Sequence, residues 1–360
     1  MSSSETNRPN GVGEHASALD TPRSALPFQR STLYASLSTL PGPVIGLVAV
    51  LGLFIVLIGA KGELHNFLSP RNLQVLLHEG TIPAIAALGA LLIIVSGGID
   101  LSVGSVMALV MVVTMQTYNH LYQGPESAGT ASLAAVLAGV ATGGLCGAVN
   151  GLVITRLRVV PFVATLGMLS VARGLAVWLS GRTLVAFRGD SRPGWVDALA
   201  QVHPPYFFNP GFVGLMVIAA GVAVLLRSTV LGRYTYAIGS NEQTARLCGV
   251  PVARTKVTIY TLAGILAGLA GVLMFAHGGS GDPAGAEGME LDAIAAVVVG
   301  GAALTGGRGT VAGTLLGVLI LQVLHNGVSV FNVPVEIRLI LIGAIIVVNT
   351  ALGSWERRRQ

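Results

Sequence analysis

The sequence predicts an all-α protein: a polytopic integral membrane helix bundle of about ten transmembrane helices, at ~20 apolar residues each, with both termini in the cytoplasm. Three observations carry this prediction. Hydrophobic residues make up 52% of the 360-residue chain and charged residues only 10%, whereas a soluble chain carries about 25% charged. Mean hydropathy is +0.75. The chain also holds 48 glycines, which spanning helices tolerate because glycine lets neighbouring helices approach closely. So little charge cannot cover a soluble surface of this size, so lipid must cover most of it. The same figures exclude a wholly disordered chain and a nucleic-acid-binding architecture.

Residues 1–43 are rich in Ser, Thr and Pro and lack an apolar run, so they read as a disordered cytoplasmic tail. The membrane domain then runs over 44–352, with spans predicted at 44–60, 73–96, 101–117, 131–154, 160–180, 210–226, 256–277, 292–305, 310–331 and 335–352. The eighth is short and interrupted by glycine. Residues 353–360 form a basic cytoplasmic C-terminus carrying Arg357, Arg358 and Arg359. Orientation follows from the placement of basic residues. With the N-terminus inside, cytoplasmic segments hold Arg8, Arg23, Arg30, Arg156, Arg158, Arg227, Arg233, Arg246, Arg254, Lys256 and Arg308, while outer loops hold Lys61, Arg71, Arg182, Arg188 and Arg192. This is the bias of the positive-inside rule. The longest internal segment, 227–256, is predicted to be a loop. Within it Asn241 is placed to cap a short helix over 242–247, ended by Gly249 and Pro251. Such a helix on the cytoplasmic face is shaped to dock onto a partner.

Four sets of residues could carry chemistry. In Ser96-Gly97-Gly98-Ile99-Asp100-Leu101-Ser102-Val103-Gly104 the glycines free the backbone, and Asp100 or Ser102 can cap the next helix. The positive pole of that helix suits a polar substrate, but a tight turn with Asp100 as a cap explains the motif equally well. Gly139, Gly143, Gly147 and Gly151 lie four apart, as do Gly309, Gly313 and Gly317, and both ladders read as packing faces. Glu290 and Asp292 precede an apolar run that meets Gly300-Gly301 and then Gly306-Gly307-Arg308-Gly309, which reads as capping and re-entrant packing rather than a proton relay. Asn150, Thr165, Arg173, Gln322 and Asn326 lie inside predicted spans, where polar side chains face the bundle interior or a water-filled path. Arg173 needs a partner there, either a carboxylate or backbone carbonyls.

Absences complete the reading. The 7 histidines are not at metal-ligand spacings, and no nucleophile elbow occurs. The only lysines, Lys61 and Lys256, are outside any phosphate-binding loop, so this chain is not an ATPase by itself. Cys146 and Cys248 read as free thiols.

Four stretches, in this order, resemble the permease subunits of bacterial ribose/xylose-type monosaccharide ABC importers: SGGIDLSVGSVMAL at 96–109, VVPFVATLGMLSVARGL at 159–175, AIGSNEQTARLCGV at 237–250 and ELDAIAAVVVGGAALTGGRGTVAGTLLG at 290–317. The resemblance covers roughly 45–350. It implies a non-enzymatic transport subunit of the bacterial inner membrane that dimerises around a central sugar path and works by alternating access. It also implies a separate cytoplasmic ATPase, which uses the ATP, and an extracytoplasmic sugar-binding protein. This chain would bind no cofactor and no metal. The ATPase contact would fall on Gly239, Asn241, Glu242, Ala245, Arg246 and Gly249. Asp100, Ser102, Asn150, Thr165, Arg173 and Asn326 are the expected path residues, and Gly97, Gly98, Gly104, Gly300, Gly301, Gly306, Gly307 and Gly309 the expected helix breaks and packing points. Two features depart from the pattern: the long tail, and the Arg- and Pro-bearing outer loop 181–209. Alternatives are a permease for branched-chain amino acids or another small polar solute, and a standalone secondary transporter relying on Glu79 and Asp100.

Overall fold

A computed structural model describes residues 41–189, 192–200 and 208–330, together with 340 and 343. The tail up to residue 40, most of the predicted last span (335–352) and the basic C-terminus lie outside the described residues. The helices are α1 (Pro41–Ala60), α2 (Leu64–Phe67), α3 (Pro70–Val95), α4 (Val103–Leu121), α5 (Ala128–Arg156), α6 (Pro161–Leu179), α7 (Gly194–Ala200), α8 (Pro210–Ser228), α9 (Val230–Ser240), α10 (Glu242–Leu247), α11 (Val252–Gly278), α12 (Met289–Val299) and α13 (Val311–Val330). Two short strands, β1 (Val185–Ala186) and β2 (Ser280–Gly281), pair antiparallel, Val185 opposite Gly281.

Local chemistry explains the helix starts. Ser69 Oγ accepts the Asn72 N–H at 3.2 Å before Pro70 opens α3, and Asn209 Oδ1 accepts the Gly211 N–H at 2.7 Å before Pro210 opens α8. Proline suits the first helical position because its missing N–H would be unpaired there anyway. Among the described residues, six helical segments are long and apolar enough to cross a membrane: 70–95, 125–156, 161–179, 210–228, 252–278 and 311–329. Helix α4 is not one of them, although it has 19 residues. It is buried along most of its length, so its polar residues, including Thr114 and Asn119, meet protein rather than lipid.

Two predictions need correction. Residues 230–240 form helix α9 and not a loop. Thr229 Oγ1 accepts the Gly232 N–H at 3.2 Å to start it, and Gly232 and Thr235 turn inward among its buried positions. The eighth span is not a helix over 292–305. A run of turns after β2, over 283–288, leads into α12, which has 11 residues and ends at the Gly300-Gly301 turn. Residues 300–310 then cross to α13 without helix.

The glycine ladders pack within the chain. A Cβ at Gly143 would overlap the Gly264 carbonyl, and one at Gly147 the Tyr260 carbonyl, so α5 lies backbone to backbone on α11. In the same way Gly313 and Gly317 of α13 press on Gly300 and Ala296 of α12. Helices α3, α4 and α11 thereby form the centre of the bundle, and α5, α6 and α8 its flanks.

Candidate functional site

The motif 237–250 folds into a compact element. Asn241 Oδ1 accepts the Thr244 N–H at 2.9 Å, as its capping position requires. Glu242 reaches Arg246 at 3.0 Å and Lys256 at 2.6 Å, tying α10 to the first turns of α11. Burial pushes the Glu242 carboxyl up, but the hydrogen bonds and charges of Lys256 and Arg246 outweigh it and hold the group below the usual carboxylate range. Ala245 is buried with Ile238 and Val252, which pins the inner side of α10. Gly249 ends the helix with φ +81°. At its tip Leu247 is 89% exposed, an apolar knob that spacing alone did not single out.

Gly239 departs from the rest of this set. It faces the bundle, where a Cβ would overlap the Val95 carbonyl and stand 2.6 Å from the Gly307 nitrogen. Gly306 sits as tightly on Gly97 and Gly239, its added Cβ 2.9 Å from each Cα. The Gly307 N–H donates to Val95 O at 2.9 Å, and the Tyr236 hydroxyl donates to Gly309 O at 2.8 Å. Burial pushes the Tyr236 phenol up, so it stays a donor. Gly97, Gly239, Gly306 and Gly307 thus form one junction that joins the end of α3, helix α9 and the 300–310 crossing. Gly309 closes it from below, packed on Val95 and Leu91. Gly301 takes φ +93° where α12 turns.

Four of the expected path residues meet. Asp100 Oδ1 accepts the Ser102 N–H at 2.7 Å and the Ser102 hydroxyl at 2.6 Å. Asn150 Nδ2 donates to Ser102 Oγ at 3.1 Å, and the Thr165 hydroxyl reaches Ile99 O at 3.3 Å. The Ser102 side chain does not cap α4; Asp100 holds the turn before it. Around this group the Tyr260 hydroxyl presses on Gly98, and a Glu290 carboxylate oxygen on Gly104. Both atoms are buried without a hydrogen-bond partner among the described residues. Neither was singled out as a neighbour of Asp100, because α11 and α12 are more than 150 residues away in sequence. The other two path residues lie elsewhere. Arg173 Nη1 donates to Pro283 O at 2.8 Å and Gly285 O at 3.0 Å, which is the carbonyl pairing the sequence allowed. Asn326 exchanges amide hydrogen bonds of 2.9 and 3.0 Å with Asn72. No group of three His, Cys, Asp or Glu side chains among the described residues could hold a metal ion.

A family model described as the branched-chain amino acid transport system / permease component matches residues 72–350. The chain belongs to this family. Among curated relatives, the ribose import permease protein of Bacillus subtilis (strain 168) is 39% identical over 310 residues, 84% of this chain and 90% of the relative. The L-arabinose ABC transporter permease of Azospirillum brasilense is 34% identical over 301 residues, 82% and 83% of the two chains. The fructose import permease of Rhizobium meliloti is 33% identical over 327 residues, 88% and 85%. No solved structure matches. The permease is therefore a multi-pass membrane protein, and its long apolar helices agree with that.

Proposed function

We propose that the permease is the membrane-spanning subunit of an ATP-binding-cassette importer that moves a monosaccharide across the bacterial inner membrane by alternating access. Ribose, fructose and L-arabinose permeases are among its relatives, which favours sugar over the branched-chain amino acids in the family's description. A separate ATPase docks on α10, a sugar-binding protein docks on the outer loops, and two copies of the permease enclose the path. Both termini are cytoplasmic, with ten spans in the chain. ATP serves the partner, and this chain binds no cofactor.

The observation that carries the reading is the glycine junction. Helix α10 presents Leu247 outward and is fixed inward to α9 and α11, while α9 meets the α3 end through the Gly239 backbone and the 300–310 crossing through that backbone and the Tyr236 hydroxyl. A push on α10 therefore reaches both the Asp100 turn and α12 through these close contacts. Closely packed interfaces move between discrete arrangements rather than deforming continuously, so displacement at one edge is passed to the other.

Three experiments test the reading. Vesicles holding the permease, its ATPase and its binding protein should take up sugar only with ATP. Replacing Asn241, Glu242 and Arg246 together with alanine should abolish uptake and ATPase co-purification while leaving membrane insertion intact. Wild-type uptake by that variant refutes the assignment. Orientation is read from Cys248, which is exposed while Cys146 is not. An impermeant maleimide should label it in inside-out vesicles and not in right-side-out ones.

A further inference from the structure

Beside the docking element lies a cleft of about 800 Å³ lined by Arg158, Arg246, Arg254, Lys256 and Glu242. Its charge is unbalanced. Glu242 is shared by Arg246 and Lys256, and among the described residues Arg158 and Arg254 have no recorded ion pair. The other walls are apolar and come from helix ends: Ile154 from α5, Val160 and Pro161 at the start of α6, and Val252 from α11. From this rim an apolar strip runs outward from the end of α5 to the start of α6: Leu157 is 70% exposed, and Val160, Phe162 and Val163 are also exposed.

We infer that this cleft binds the phosphate of an anionic phospholipid of the cytoplasmic leaflet, its acyl chains lying along the Leu157–Val163 strip. A soluble phosphate would use the cations and leave the strip unexplained. A zwitterionic lipid would use the strip and leave the excess positive charge uncompensated. Only a group with an anionic head and an apolar tail satisfies both halves. Basic pockets between spanning helices on the cytoplasmic side recognise anionic headgroups by the same combination, and the cleft lies within the ~300–1,000 Å³ range of small-ligand sites. Arg158 and Arg254 carry the recognition, because the other two cations already share Glu242. Leu247, the outward knob of α10, is not part of the cleft lining, and Arg158 and Arg254 lie outside the proposed ATPase contact, whereas Glu242 and Arg246 border both. The inference rests on the inside orientation of 227–256, which the Cys248 labelling reports separately.

The test uses the full chain in nanodiscs containing phosphatidylglycerol and phosphatidylcholine of matched acyl chains, with retained lipid measured by native mass spectrometry. The wild-type chain should retain phosphatidylglycerol selectively. The double variant Arg158→Gln, Arg254→Gln should weaken retention roughly thirty-fold, from about 1 kcal/mol per cation at about 1.4 kcal/mol per tenfold. A double variant to lysine should keep the selectivity, which separates charge from folding. Equal retention in the glutamine variant overturns the proposal. So does displacement of the lipid by millimolar inorganic phosphate, which marks a free-anion site, or by the purified ATPase, which marks a protein interface. Lipid retention needs neither sugar nor ATP, so loss of the transport reading and loss of the lipid site are separately visible.

Discussion

Helices α3 and α6 have the same hydropathy, 1.7, yet 89% of the apolar window of α3 is buried and only 17% of that of α6. Composition does not separate them; side-chain size on each face does. Helix α3 turns Gly89 toward Ala263 and Leu266, an added Cβ lying 3.2 Å from the Ala263 carbonyl, and its Ala84, Ala86, Ala87 and Ala90 are buried. Helix α6 exposes Phe162, Val163, Leu166, Val171, Leu175 and Trp178, and an added Cβ at Gly167 or Gly174 would meet nothing within 4 Å. In a membrane, helices gain little from hydrophobicity against one another because lipid is equally apolar, so close packing of small residues selects which helices go inside.

The comparison is sharpened most by one methyl group placed on the inside. Gly147→Ala puts a Cβ into the Tyr260 carbonyl between α5 and α11. It should cost at least the ~1–3 kcal/mol of overpacking, seen as loss of the monodisperse peak in detergent and a lower unfolding temperature. Next is Arg173, the charged anchor of a largely exposed helix. Arg173→Gln removes charged donors from Pro283 O and Gly285 O. At ~1.5–3 kcal/mol for a hydrogen bond to a charged group, it should destabilise the chain by a few kcal/mol and raise hydrogen exchange in 279–288. Unchanged exchange there would show that α6 does not hold the 282–288 turns.

A smaller effect separates the 237–250 element from the bundle. Glu242 has its proton affinity lowered in the folded state, so its stabilising contribution is present above the ordinary carboxylate value of about 4.3. That contribution is lost as pH falls through the lower folded value. The Glu242 side chain is 40% exposed, which keeps the effect in the ~0–1 kcal/mol range of surface pairs. Hydrogen-exchange protection of 244–250 should therefore be flat between about pH 6 and 8 and fall only in acid. A step near neutrality would mean that another group fastens α10.

Much of this arrangement was legible in local sequence. The α10 cap at Asn241, its stop at Gly249 and the break at Gly97 are decided by residues within one turn, and the structure follows them. Apolar runs located the long helices to within a few residues. What sequence could not supply was everything set by contacts between distant segments. Gly239 belongs to a docking motif by its neighbours but faces inward because Val95 and Gly307 are there. Glu290 reads as an end-capping acid until α12 brings it against Gly104. The stacked pair His78 and His277, with ring centroids 4.1 Å apart, joins α3 and α11 and leaves no pattern in spacing. Span eight was misread because an apolar count does not distinguish a helix from a non-helical crossing that finds hydrogen-bond partners elsewhere in the protein, as the Gly307 N–H does on Val95 O.

The smallest effect is the one that tests the outside of the comparison. Gly174→Ala introduces a Cβ with nothing within 4 Å, in the interior of a helix where glycine is about 0.8–1 kcal/mol less favourable than alanine. With lipid or detergent around α6, the substitution should leave the unfolding temperature unchanged or raise it slightly. The same methyl group that disrupts the α5–α11 contact would then be neutral or stabilising here. A loss of stability would mean that a second copy of the chain already lies against Gly174. The penalty should then disappear on dilution to monomer in detergent, so measuring the variant at two protein concentrations separates a face that meets lipid from one that meets its own copy.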